Sequence, residues 1–311
     1  MKKLFVITLL VSILMLGSIV GMAAETKEIA MISPALTSTF YKATNAGATE
    51  MAAEYGWKLY KLAPARETDF QKQVSMVEDM ITREVDAIAL CAINDKAVVS
   101  AVKKANEAGI PIFVFNSLTE FPEGDVEAYI GYDQRAGGRK CGLKAVELLH
   151  SKYGELTGKI VILEGVPGFH NTERKGGFMQ ILDKFPEIDI AASQPADWER
   201  QKGMDVTENL LQAIPDIDLF FGASDAMSQG ASQAARSMNK DVFTIGIDGN
   251  PDMISDIAEG KVTATLAVFP TEMGRITMQA IKDYFEGKDI SQFIKTPTEI
   301  VDSNNVEEFL Q

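Results

Sequence analysis

The chain has 311 residues, 30 of them basic and 44 acidic, with a net charge of −14, and it holds two cysteines and two histidines. That balance argues against a nucleic-acid backbone or an anionic lipid surface as partner, and the cysteines and histidines offer neither a disulfide framework nor metal-ligand spacing. The length suits two cores rather than one.

Lys2-Lys3, an apolar run from Leu4 to about Val20 and the small residues Gly21-Met22-Ala23-Ala24 read as an export signal, residues 1–24, cleaved after Ala23 or Ala24. A membrane anchor is the alternative, since about 17 apolar residues nearly span a bilayer. Loss of Lys2 and Lys3 takes the net charge to −16.

Beyond the signal, short apolar runs alternate with amphipathic stretches. Glu28 to Ile32 reads as a strand. Thr37 or Ser38 caps a helix bearing Phe40, Ala43, Gly47 and Met51, and Gly56 ends it. Trp57 to Leu62 is the next strand, and Phe70, Val74, Val77 and Ile81 mark one helix face. Val85 to Leu90 is a strand, Asn94-Asp95 starts a helix that Gly109 closes, and Ile110 to Phe115 is a strand ending in Asn116-Ser117. A strand near Glu127 to Gly131 and a helix from Arg135 to Leu149 follow.

The same pattern then restarts. Strands are expected at Lys159–Leu163, Ile188–Ala192, Leu219–Phe221, Val242–Ile247 and Val262–Val268. Helices are expected at Thr172–Leu182, Glu199–Ala213, from a cap at Asp225 to Arg236, before Gly260, and at Thr271–Tyr284. His170 falls in a loop, and the tail from Ile300 has no clear period. At least ten strand–helix alternations predict an α/β protein with two tandem parallel sheets, whose ligand sites lie at the C-terminal strand ends. Cys91 ends a strand and Cys141 lies within a helix, so both are expected as free thiols.

Phe40-Tyr41, Cys91-Ala-Ile-Asn-Asp95, Gly165-Val-Pro-Gly168 with Arg174-Lys-Gly-Gly-Phe178, Ser193-Gln-Pro-Ala-Asp-Trp198, Gly222-Ala-Ser-Asp225 and Gly246-Ile-Asp-Gly-Asn-Pro-Asp252 occur in that order. Over nearly all of the chain beyond the signal they resemble the pentose- and hexose-binding periplasmic proteins of sugar ABC transporters, the ribose-binding-protein-like family. The resemblance implies a type I periplasmic binding protein fold: two Rossmann-like lobes with parallel sheets and three interlobe crossings. It implies an N-terminal lobe of residues 25–132 plus 269–295 and a C-terminal lobe of 133–268 plus 296–311. It also implies a monomeric receptor in the periplasm or extracytoplasmic space that hands its ligand to an ABC permease. A chemoreceptor or sensor-kinase ectodomain is the alternative partner. The DNA-binding repressors that share this fold would need an N-terminal helix-turn-helix, which this sequence lacks.

A sugar needs aromatic faces for its C–H surfaces and charged or planar groups for its hydroxyls. By resemblance, Arg174 and Asp248 clamp ring hydroxyls from the second lobe, and Phe40, Tyr41 and Trp198 supply rings. Read without the resemblance, Arg174 is a solvated helix residue, Asp248 a turn former, Phe40 plain core and Trp198 a surface anchor. Asn116 stands where the ribose receptor has an aspartate; Ser38, Ser224 and Cys91 stand at three of its asparagines, Ser117 at its arginine and Val268 at its glutamine. His170 and Asn171 are either hydroxyl contacts or an exposed loop. A buried hydroxyl left unpaired costs roughly 1–3 kcal/mol, so the expected ligand is a small neutral polyhydroxy compound other than ribose: another monosaccharide, a cyclitol or a sugar alcohol. No enzyme, cofactor or metal is implied, because no dinucleotide fingerprint, phosphate loop or nucleophile–base set occurs.

Overall fold

Runs of buried apolar residues form the central strands of the computed structural model, which describes residues 26–310. The expected export signal lies outside them. The strands are β1 (Glu28–Ile32), β2 (Lys58–Leu62), β3 (Ala87–Leu90), β4 (Ile112–Phe115), β5 (Ala128–Gly131), β6 (Gly158–Glu164), β7 (Ile188–Pro195), β8 (Leu219–Gly222), β9 (Phe243–Asp248), β10 (Ala264–Ala267), β11 (Phe293–Lys295) and β12 (Glu299–Asp302). The helices are α1 (Thr39–Glu54), α2 (Phe70–Thr82), α3 (Val99–Glu107), α4 (Gln134–Tyr153), α5 (Phe169–Leu182), α6 (Arg200–Ala213), α7 (Asp225–Ser237), α8 (Pro251–Ala258) and α9 (Pro270–Phe285). None of these is long and apolar enough to cross a membrane.

Two six-stranded sheets result, ordered β11-β5-β4-β3-β1-β2 and β12-β10-β9-β8-β6-β7. Pairing is parallel except between β10 and β12. Each sheet repeats one doubly wound order, so the architecture is duplicated, and its C-terminal strand ends line the natural ligand crevice. The chain passes between sheets three times: from β5 to β6, after β10, and from β11 to β12. After β10 it places α9 against α1, beside the first sheet.

Glycines set the closest helix contacts. A Cβ on Gly274 of α9 would stand 2.0 Å from the Thr44 carbonyl oxygen of α1, and one on Gly138 of α4 would stand 2.0 Å from the Arg174 carbonyl oxygen of α5. Only glycine lets these backbones meet, and the second contact fixes the helix that carries Arg174.

Several local expectations are corrected. Strand–helix units number nine among the described residues, because residues 116–127 connect β4 to β5 without a helix; Pro122, Gly124 and scattered acids leave that stretch no helical apolar face. Asn94 does not start α3. Its Oδ1 accepts from the amides of Lys96 and Ala97 and closes a turn before the helix. The α2 face buries Gln73, Val77 and Met80, while Phe70 is 36% exposed. Gln73 is drawn inward because its amide donates to the Cys91 carbonyl and accepts from Ile93 N–H. α5 begins at Phe169, so His170 and Asn171 are helical. Asp225 is no cap. Its carboxylate accepts from Asn250 N–H at 2.9 Å and Thr265 Oγ1 at 2.5 Å.

Candidate functional site

Arg174, 4% exposed, is the centre of the second lobe's strand-end surface. Its Nε donates to Gln134 Oε1 at 2.8 Å, and its Nη1 donates to the Ala223 carbonyl at 2.7 Å and to Asp248 Oδ1 at 3.2 Å. The guanidinium carbon lies 5.6 Å from the Trp198 ring centre and 6.0 Å from that of Tyr132. Buried charge is tolerated only with such partners. Asp248, at the end of β9, is buried too. Burial pushes its carboxyl upward, against the pull of Arg174. Burial likewise raises Asp225, and the Asp248 charge adds to it.

Around this pair stand groups with unspent bonding capacity. Ser224 Oγ and the Tyr132 hydroxyl are buried without a hydrogen-bond partner among the described residues. Trp198 has a positive φ of 66°, and its indole sits where a Cβ on Gly165 would be, 2.1 Å from Cζ2. Its ring is thereby held against the β6–α5 loop and the guanidinium. Val268 is fully buried and donates its N–H to the Asp248 carbonyl at 3.0 Å.

The first lobe contributes rings and neutral groups. Phe40 and Tyr41 are buried and meet edge to face at 5.0 Å. The Tyr41 hydroxyl lies 3.5 Å from Cys91 Sγ. Burial pushes the Cys91 thiol up to about 12, so it is no thiolate nucleophile at neutral pH; Cys91 and Cys141 are both unpaired. Ser117 Oγ accepts from Thr119 N–H. Ser38 precedes α1 without a side-chain capping bond and makes no recorded contact with the Arg174–Asp248 pair.

Three side-chain hydrogen bonds among the described residues tie the lobes together. Asn116, at a left-handed φ of 61°, turns its carbonyl toward the second lobe, where it accepts from Gln134 Nε2 at 3.0 Å and lies 3.1 Å from His170 Nε2. Gln134 Nε2 also lies 3.2 Å from Asn116 Oδ1. Burial, helped by the Arg174 charge, pushes His170 down to about 4, so the ring is neutral and donates Nε2–H to that carbonyl. Asn171 is spent locally: its Oδ1 accepts from Gly165 N–H, and its Nδ2 donates to Glu164 Oε2.

Sequence reasoning missed Gln134, Tyr132 and Glu67. Gln134 links Arg174 to Asn116 through the two ends of one amide. Glu67 is half-buried in the β2–α2 loop. Burial first and the Asp248 charge second push its carboxyl up to about 7, against Arg174. The charges of Asp248 and Arg174 thus act on this glutamate from the second lobe. Nothing local in Ala63–Asp69 distinguishes it from a solvated loop acid; only its place after β2, at a strand's C-terminal end, was a usable signal.

A family model described as the periplasmic binding protein domain matches residues 29–289. The ribose import binding protein of Bacillus subtilis is 34% identical over 266 residues, which span 85% of this chain and 84% of that one. The D-allose-binding periplasmic protein of Escherichia coli is 29% identical over 301 residues, 92% of this chain and 96% of that one. Among solved structures, an ABC transporter periplasmic solute-binding protein from Actinobacillus succinogenes with bound D-allose has a TM-score of 0.82 at 28% identity, covering 91% of this chain and all of that one. An ABC transporter solute-binding protein from Bacillus halodurans with bound myo-inositol has a TM-score of 0.83 at 26% identity, covering 92% and 97%.

Proposed function

The chain belongs to the periplasmic binding protein domain family, and from that premise we propose that it is the solute-binding receptor of an ABC importer for a small neutral sugar, cyclitol or sugar alcohol. The observation that carries this reading is the buried Arg174–Asp248 pair at the strand ends, with the Ser224 hydroxyl beside it unsatisfied. A polyol hydroxyl both donates and accepts, so vicinal hydroxyls suit a guanidinium, a carboxylate and a serine together. An anionic ligand would instead meet the Asp248 and Glu67 carboxylates.

The lobes are proposed as residues 25–132 plus 269–295 and 133–268 plus 296–311, closing on ligand between Phe40, Tyr41 and Asn116 on one side and Arg174 and Asp248 on the other. Closure would let a permease distinguish loaded from empty receptor, and a chemoreceptor or sensor ectodomain could read the same surface. The protein is proposed to act as a monomer outside the cytoplasm and to carry out no catalysis. A mature N-terminus at Ala24 or Glu25, read by mass spectrometry, checks export; retention of Met1 would overturn it.

Ribose is excluded from the proposed ligands because Asn116, Ser117 and Val268 replace a charged pair and an amide of the ribose receptors. The test of the main reading is thermal shift of the mature protein with D-allose, D-arabinose, D-ribose, D-fucose, myo-inositol and glycerol. A ligand present at a hundred times its Kd stabilises by about 2.7 kcal/mol. No shift with any of them would overturn the sugar-receptor reading.

A further inference from the structure

Tyr132 is the first residue beyond β5, where the chain leaves the first sheet for the second. It is 3% exposed, and its ring lies against α4 where Gly137 leaves room: a Cβ there would stand 2.9 Å from Tyr132 Cε2. The ring is thus held in place, yet among the described residues the hydroxyl has no hydrogen-bond partner in good geometry, the Arg174 guanidinium being only a weak neighbour. Burial, partly offset by the nearby Arg174 charge, keeps the phenol protonated well above its ordinary range, and Asp248 is a second charged neighbour.

Buried hydroxyls are rarely left without partners. Arg174 spends Nε on Gln134 and Nη1 on Ala223 and Asp248, and its Nη2 has no recorded bond among the described residues. The Tyr132 hydroxyl, the Ser224 hydroxyl and Nη2 therefore surround one ion pair with unused bonding capacity.

We propose that Tyr132 is a specificity-determining residue of the cleft, whose hydroxyl hydrogen-bonds a ligand hydroxyl at the hinge end of the site, beside Arg174 and Asp248. The inference rests on the sugar-receptor reading and adds a reader placed at a crossing, where the first lobe's first segment ends.

The test is Tyr132→Phe, which removes one oxygen and keeps the ring. Wild type and variant are titrated calorimetrically with D-allose, D-arabinose, D-fucose, myo-inositol and glycerol, and the melting temperature of each unliganded protein is recorded. Because the hydroxyl makes no hydrogen bond of good geometry among the described residues, the unliganded melting temperature should stay level or rise. Affinity for whichever of these compounds binds wild type should fall about tenfold, which is about 1.4 kcal/mol. Equal affinity in the two proteins would overturn the inference while leaving the receptor reading intact. A lowered unliganded melting temperature would assign the hydroxyl a structural role and would also overturn it. If wild type bound none of the compounds, the receptor reading would fail first and this inference with it.

Discussion

Changing Asp248 to alanine should separate a group that both holds the fold and reads the ligand from one that reads the ligand only. The Arg174–Asp248 contact is 3.2 Å, with side chains 5% and 8% exposed. Removing one partner of a buried ion pair costs about 3–5 kcal/mol, because the other charge is left uncompensated. Two features reduce that figure here. Arg174 keeps its bonds to Gln134 and Ala223, and loss of Asp248 relieves Asp225, which it repels. We expect about 2–3 kcal/mol. At roughly 0.6 kcal/mol per degree for a chain of this size, that is a fall of about 3–5 °C in Tm. Ser224→Ala should leave the unliganded Tm unchanged, since its hydroxyl bonds nothing in the protein. For binding, Asp248→Ala should cost about 2–4 kcal/mol, roughly 30- to 1,000-fold, against about 0.5–1.5 kcal/mol for Ser224→Ala. Scanning calorimetry and titration with D-allose and myo-inositol supply both numbers. A costlier serine change, or an Asp248→Ala protein with undiminished Tm, would refute the reasoning.

Glu67→Gln should raise Tm at pH 8 and leave it unchanged near pH 4.5. The folded-state carboxyl is raised to about 7 from 4.5, so its penalty on the folded state is absent below 4.5, grows as pH rises from 4.5 to 7 and is complete above that; an equal effect at both pH values would count against its burial in the cleft. His170 acts in the opposite sense: its folded value of about 4 lies below the ordinary 6.5, so its penalty grows as pH falls from 6.5 to 4, and His170→Gln should flatten that acid limb of the Tm profile. Small-angle scattering should show a smaller radius of gyration with saturating D-allose or myo-inositol than without; an unchanged radius with binding confirmed would refute closure. The triple change Asn116→Asp, Ser117→Arg and Val268→Gln should gain affinity for D-ribose, and micromolar ribose binding by the unmodified protein would remove the basis for excluding it.

Most strands were legible because their signal is local: Val85 to Leu90 or Lys159 to Leu163 has nowhere to go but the middle of a sheet. β11 and β12 were not, because three- and four-residue edge strands, half exposed and of mixed composition, carry no period. The two misassigned caps have one physical cause. Asn94 and Asp225 are good cap residues by type, but a side-chain oxygen can close a turn, or bond a distant amide, as readily as it caps. Asn94 does the first and Asp225 the second. In the site, Arg174 and Asp248 were legible through a resemblance of motifs, and their burial together was not, since it depends on residues 74 positions apart. Glu67, Tyr132 and Gln134 escaped for the same reason: each looks like ordinary loop or hinge composition until the other lobe is set opposite it.

The two sides of the cleft carry different chemistry, and that difference bears on how closure is controlled. Fixed opposite charges sit on the second lobe, each holding the other. The first lobe offers rings, a neutral Asn116 and one carboxyl, Glu67, that burial and Asp248 push toward neutrality. Where a ribose receptor pairs an arginine and an aspartate on this side, the present chain has Ser117 and Asn116, so its first lobe brings no cation to the Asp248 carboxylate when the lobes meet. The direct links are neutral bonds, Gln134 and His170 to one carbonyl, worth about 0.5–1.5 kcal/mol each. Such links are too weak to shut the cleft decisively, and the orphaned hydroxyls of Ser224 and Tyr132 weigh against closure until something satisfies them. A ligand shifts an equilibrium only by its difference in affinity for the two states. In the proposed receptor, a polyol that pairs those hydroxyls and displaces water from Phe40 and Tyr41 would make most of its bonds only with the lobes together, so the groups left unsatisfied in the protein would make closure depend on the ligand.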